Sequence, residues 1–181
     1  MARYLAFLRG VNVGGYRPLK MEELREMFAG LDFNKVSTYI QSGNITFDAD
    51  TEAEPNFLST KIKLRIEETF GYDVPVIIRT PSNLENSLNS FPFDNRKGWK
   101  RYISFLSSKP MPKQVEELEK LSSDIEQFKV RETELFSVVD KQTDKKPLFS
   151  NSFVEHQLGI PATTRNMRTV NKMLELASVS D

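Results

Sequence analysis

The chain opens on an unbroken apolar run, Tyr4-Leu5-Ala6-Phe7-Leu8, the pattern of a strand covered on both faces. After Pro18, Met21, Leu24, Met27, Phe28 and Leu31 recur at helical spacing, with Glu22 and Glu23 in the first turn, where the helix dipole favours anions. Residues 36–40 and 45–47 are rich in β-formers and flank Ser42-Gly43, which predicts a hairpin. Leu58, Ile62, Ile66 and Phe70 step by four through a second helix, residues 74–78 return to a β-branched apolar run, and Thr80-Pro81 starts a short helix through Leu84, Leu88 and Phe91. The resulting order, β-α-β-β-α-β, is the split βαβ arrangement of ferredoxin-like folds.

Residues 92–99, with Pro92, Asn95 and Gly98, read as a connection to a second unit. There a strand over 102–106, a helix through Val115, Leu118 and Leu121, and strands near 125–130 and 135–139 repeat the plan. Two helices close the chain, one over 153–158 stopped by Gly159 and one beginning after Thr163-Thr164 with Val170, Met173, Leu174 and Ala177 on its apolar face. The expected fold is therefore α+β: two ferredoxin-like (α/β plait) halves in tandem, residues 1–95 and 96–181, the second carrying C-terminal helices.

This topology places polar residues together. In a βαββαβ unit strands one and two run the same way and strand three lies antiparallel beside strand one. The loop leaving strand one, residues 9–15, and the turn Gln41-Ser42-Gly43-Asn44 then share one end of the sheet. Arg9, Asn12, Gln41, Ser42 and Asn44, with the backbone N–H groups of Gly14 and Gly15 among them, form a donor-rich set suited to an anion or a polar planar ligand. The same residues also serve as ordinary turn formers, and the glycine spacing is neither a P-loop nor a dinucleotide fingerprint. A third segment, Thr163-Thr164-Arg165-Asn166, is expected to cap the last helix and turn its positive dipole end toward the same ligand, adding Thr164, Arg165 and Asn166 to the ligand-binding set.

Composition narrows the classes. The chain has 181 residues, enough for a core without staples, and no cysteine, which removes disulfides and thiolate chemistry and fits a reducing, cytoplasmic compartment. The apolar run at the start is too short for a signal-peptide core or a membrane span. Basic and acidic residues balance at 25 each, so no net field draws the chain to nucleic acid or membrane, and anion affinity must be local.

The strings LRGVNVGG (residues 8–15), YIQSGN (39–44) and ATTRN (162–166) resemble those of a bacterial family known as domain of unknown function 1697. The resemblance covers nearly the whole chain and is strongest over residues 5–47, including Met21 through Arg25. It implies paired ferredoxin-like plaits and supplies no activity. Two departures stand out: Met167 and Arg168 follow the Arg-Asn pair where the family usually has Trp and Asn, and Pro147-Leu148-Phe149 replaces a typical Ser-Lys-Leu. If that lysine touches ligand in relatives, the contact is lost here unless Lys145 or Lys146 substitutes.

The inventory favours recognition over catalysis. The motifs contain no Asp, Glu, His or Cys to titrate near neutrality or attack a substrate. The single histidine, His156, reads as a surface residue of a short helix, and Tyr39 as strand packing. No acid or histidine cluster has metal-ligand spacing, so no metal and no cofactor is expected. The expected partner is a phosphorylated or otherwise anionic small molecule, a nucleotide among the candidates, in a pocket between the first-half loops and the last helix. Residues 96–102, Arg-Lys-Gly-Trp-Lys-Arg-Tyr, mix cations and aromatics as single-strand nucleic-acid binders do. With no net charge they read better as a solvated linker. Sheet edges leave a third class open, a homodimeric module without ligand, so the chain is expected as monomer or homodimer.

Overall fold

The apolar runs of the first half become the elements their spacing implies. A computed structural model describes residues 1–50 and 53–178. Strand β1 (Ala2–Leu8), helix α1 (Met21–Ala29), strands β2 (Asn34–Tyr39) and β3 (Asn44–Ala49), helix α2 (Pro55–Phe70), strand β4 (Val76–Arg79) and helix α3 (Pro81–Asn89) follow in turn. The sheet has the order β2-β3-β1-β4, with β1 antiparallel to both neighbours. Tyr4, Ala6 and Leu8 pack with Leu24 and Phe28 of α1 and Leu58, Ile62 and Ile66 of α2. The alternate residues Leu5 and Phe7 are buried as well, as an unalternated strand requires. Rings of Phe28, Phe33 and Phe47 meet in this core, with Phe33 and Phe47 centroids 4.6 Å apart.

The second half repeats the topology in full. Strand β5 (Trp99–Leu106), helix α4 (Pro112–Glu119), strands β6 (Glu126–Arg131) and β7 (Glu134–Asp140), helix α5 (Asn151–Leu158) and strand β8 (Ala162–Asn166) precede helix α6 (Met167–Ser178). The order is β6-β7-β5-β8, again antiparallel. Leu106, Leu118, Phe128, Leu135, Val154 and Leu158 form a core between sheet and helices. The chain divides into two compact units, Met1–Asn86 with the stretch from Asn171 onward, and Ser87–Val170.

Two expectations are corrected here. Thr163 and Thr164 do not cap the last helix; they lie in β8, where β-branched residues fit the pleat, and Asn166 caps α6 by accepting from the Thr169 N–H at 2.9 Å. Residues 99–101 are not linker but the first three residues of β5, paired with β7 from Trp99↔Asp140 onward.

Both outer edges of the second sheet are closed by side chains. On β6, the N–H groups of Phe128 and Val130 donate to Ser122 Oγ (3.0 Å) and Glu119 Oε1 (2.9 Å). On β8, Ala162 N–H donates to Glu155 Oε1 (2.9 Å) and its carbonyl accepts from Asn151 Nδ2 (3.0 Å).

Candidate functional site

The two first-unit motifs meet as topology requires. Leu8 N–H donates to the Gly43 carbonyl at 2.8 Å. Asn12 joins the same turn to the following loop: its Nδ2 donates to Gln41 O (2.7 Å) and Leu19 O (2.9 Å), and its Oδ1 accepts from Leu19 N–H (2.7 Å). Asn44, fully buried, donates from Nδ2 to Tyr39 O (3.1 Å) and Ser42 Oγ (2.9 Å). Both amides thus brace the backbone of the loop and turn around them. Gly14 and Gly15, with φ of 56° and 81°, form the tip of a small excursion closed by Tyr16 N–H to Val13 O (2.9 Å). Two consecutive positive φ angles are what a tight hairpin turn needs. The tip is exposed, with Val13 and Tyr16 beside it at 61% and 79% exposure. Arg9 is half-buried after β1, and its N–H donates to Pro75 O at 3.0 Å.

Removing the Asn12 donors tests this bracing. Asn12→Asp keeps the acceptor and loses both donations, and is expected to lower stability by roughly 1 to 3 kcal/mol, two ordinary hydrogen bonds. Urea titration of the two proteins measures it, and an unchanged midpoint would show that the loop holds without the amide.

The C-terminal motif belongs to the second unit. Thr164 Oγ1 lies 2.7 Å from Ser104 Oγ and donates to Asn151 Oδ1 at 3.0 Å, joining β8 to β5 and α5. Arg165 Nη1 donates to Thr163 Oγ1 (2.7 Å) and Thr164 O (2.9 Å). Loss of solvent around this guanidinium pushes its pKa down to about 10, which leaves it cationic at neutral pH. Of the predicted set, Arg9, Asn12, Gln41, Ser42 and Asn44 gather at one end of the first sheet, while Thr164, Arg165 and Asn166 lie in the second unit. His156 is exposed on α5.

A cleft appears where two misread segments meet. β8 pairs with β5 as far as Tyr102↔Asn166 and then gives way to α6, so β5 runs three residues beyond its partner. In that notch residues 99–102 and 166–168 line a cleft of about 430 Å³. Lys100, Arg101 and Arg168 supply three cations, Trp99 and Tyr102 two aromatic rings, and no acidic side chain is among its lining residues. The cleft's contacts are partly fixed from outside. Arg96 sits over the Trp99 ring at 5.2 Å, Arg101 over the Phe91 ring at 5.3 Å, and Tyr102 packs on Phe149 at 5.1 Å. Burial pushes the Tyr102 phenol above its ordinary value.

Phe149 is held in turn by a buried carboxylate. Glu126, 2% exposed, accepts from the N–H groups of Leu148 (2.9 Å) and Phe149 (3.0 Å). The Pro147-Leu148-Phe149 segment is thereby moored beside the cleft. Sequence reasoning missed Tyr102, Lys100 and Arg168 as a group; the cation-aromatic string 96–102 was the available signal, and its partner strand was not. A larger groove of about 680 Å³ beside α4 and β6 carries three acids, Glu116, Glu119 and Glu132, against two bases, Lys109 and Arg131, and so does not favour an anion. Among the described residues no group of His, Cys, Asp or Glu could hold a metal ion, and no helix is long and apolar enough to cross a membrane.

Two four-stranded antiparallel sheets, each with the βαββαβ order, define a protein of paired ferredoxin-like halves. The chain belongs to the DUF1697 family, described as proteins of unknown function, whose model matches residues 1–136. Its fold is also similar to that of the conserved bacterial protein SP0830 of Streptococcus pneumoniae, at 21% identity and a TM-score of 0.74, over 97% of this chain and 98% of that one. No curated protein matches it in sequence.

Proposed function

We propose that this protein binds a phosphorylated or otherwise anionic small molecule, and that the second-unit cleft receives it. The observation that carries the reading is the sign of the lining: Lys100, Arg101 and Arg168 with no acidic neighbour among the lining residues. In a chain whose charges balance overall, such a local excess concentrates an anion there rather than over the whole surface. The volume, about 430 Å³, falls within the ~300–1,000 Å³ of small-molecule sites. Asn166 lines the cleft and also caps α6, whose N-terminal dipole has the same sign as the three cations. The polar residues of the first-unit loops act in this reading as braces of their own sheet. No step of bond making is assigned to the cleft.

A thermal-shift series with pyrophosphate, sugar phosphates and nucleotides tests it. A ligand at about 100 times its Kd adds about 2.7 kcal/mol, which for a chain of this size raises Tm by roughly 5 to 10 °C. Lys100→Ala and Arg168→Ala are each expected to weaken binding by about 1.5 to 3 kcal/mol, the range for charged hydrogen bonds. Both side chains are exposed, so the empty protein should melt where the parent does. A flat response across the series, or binding that both variants retain, would remove the cleft from consideration. The side-chain bonds on both edges of the second sheet weigh against assembly through that sheet.

A further inference from the structure

We infer that the cleft takes a single nucleotide, with its base against Trp99 and its phosphate toward Lys100 and Arg168; this rests on the anion-binding reading above. Three observations combine. First, the lining joins cations to π-faces, Trp99 and Tyr102 beside Lys100, Arg101 and Arg168. A sugar phosphate or inorganic anion uses only the cations, whereas a nucleoside phosphate uses both, since every base has a π-face that stacks on an aromatic ring. Second, Trp99 is pre-oriented. Arg96 lies 5.2 Å from its ring centre in a cation–π contact, which holds the half-buried ring at the cleft it lines. A ring fixed before binding loses little freedom when a base lands on it. Third, the cations differ in their commitments. Arg101 is drawn over Phe91 at 5.3 Å, while Lys100 and Arg168 are exposed on opposite sides of the notch, one on β5 and one in the first turn of α6. Those two are the natural phosphate contacts.

The size of the cleft and the balanced charge of the chain separate a nucleotide from a strand. About 430 Å³ holds one nucleotide, and a single strand needs a basic track several nucleotides long. Beyond Arg96, Lys97 and the lining cations the stretch is followed by the apolar interior of β5, Ile103 to Leu106.

Trp99 is the only tryptophan of the chain, so tryptophan fluorescence, excited beyond the tyrosine absorption band, reports on this cleft. The experiment titrates the full chain with AMP, UMP, ribose 5-phosphate and a dodecathymidylate, reading Trp99 fluorescence and, in parallel, heat by calorimetry. The expected result is quenching by both nucleotides and affinity about tenfold above that for ribose 5-phosphate, the low end of what stacking one base contributes. Trp99→Leu, followed by calorimetry, should erase the difference between AMP and ribose 5-phosphate while leaving the sugar phosphate bound. Trp99→Phe keeps a ring and should restore part of the difference, which separates loss of stacking from loss of fold. Lys100→Ala combined with Arg168→Ala should weaken nucleotide and sugar phosphate alike. Equal affinity for AMP and ribose 5-phosphate would overturn the nucleotide assignment and leave the anion reading standing. No binding of any phosphate would overturn both, and an oligonucleotide bound far more tightly than either mononucleotide would replace the single-nucleotide site with a strand site.

Discussion

Gly43→Ala is expected to destabilise the protein by about 2 to 5 kcal/mol. The residue sits at φ 74°, where an alanine loses about 1 to 2 kcal/mol to left-handed strain. A Cβ there would also meet Leu8 Cβ at 2.5 Å and Val11 Cγ2 at 2.8 Å, inside a packed core where overfilling costs about 1 to 3 kcal/mol more. Neither neighbour is the loose end of a long side chain: Leu8 lies in β1 and Val11 is 1% exposed. Gly15 provides the comparison. Its φ is 81°, but an added Cβ would find nothing within 4 Å, so Gly15→Ala should show only the backbone part, about 1 to 2 kcal/mol. Denaturant titration of the two variants separates the contributions. Equal losses would mean that the close approach of hairpin turn and first strand is not what makes glycine necessary.

The second large effect concerns Glu126. Its carboxylate is the acceptor for two consecutive backbone N–H groups, those of Leu148 and Phe149. Glu126→Ala orphans both, at about 1 to 3 kcal/mol for each donor left without a partner. Leu148 is 53% exposed, so water can replace one of the bonds, and the expected loss is about 2 to 4 kcal/mol. Glu126→Gln keeps one carbonyl acceptor and should lose roughly half as much. Amide hydrogen exchange locates the damage: protection at Leu148 and Phe149 should fall well before that of β7. Because Phe149 packs on Tyr102 and Phe128, the loosened segment should also reach the cleft. Intact protection at both amides in the alanine variant would show that the segment is held by ring packing alone.

The sequence was legible where burial is periodic and opaque where it is not. α1 and α2 could be read because Leu24, Ile62 and their neighbours repeat at intervals that only a helix buries; β1 was the exception, legible from an unbroken apolar run buried on both faces. β8 could not. It has five residues, two of them threonines followed by Arg165 and Asn166, and threonine before a helix is equally a cap. What selects the strand is pairing with β5, sixty positions earlier, where the Ser104 hydroxyl also meets Thr164 at 2.7 Å. Residues 99–101 were opaque for a related reason: their pairing with Val138, Val139 and Asp140 is set by β7, while their own composition is that of a solvated loop. The cleft is built from these two segments, so the place where local sequence failed is also the candidate site. In the first-unit motifs the opposite happened. Asn12 and Asn44 are conspicuous as polar residues near glycines, and in the fold their amides donate to backbone carbonyls of the loop and turn around them.

The closed edges of the second sheet bear on how this protein behaves in a crowded solution. With 25 positive and 25 negative side chains it has no net charge, and so lacks the mutual repulsion that keeps many proteins apart. Fibrils and strand exchange between copies both begin when an unpaired backbone edge accepts a foreign strand. In the second unit that first step must break the bonds from Phe128 to Ser122 and from Val130 to Glu119 on one border, or those between Ala162 and Glu155 and Asn151 on the other, before any new one forms. In the second unit, resistance to strand addition thus rests on four helix-side residues rather than on overall charge, and substitutions there are expected to leave the monomer's fold intact while shortening its shelf life.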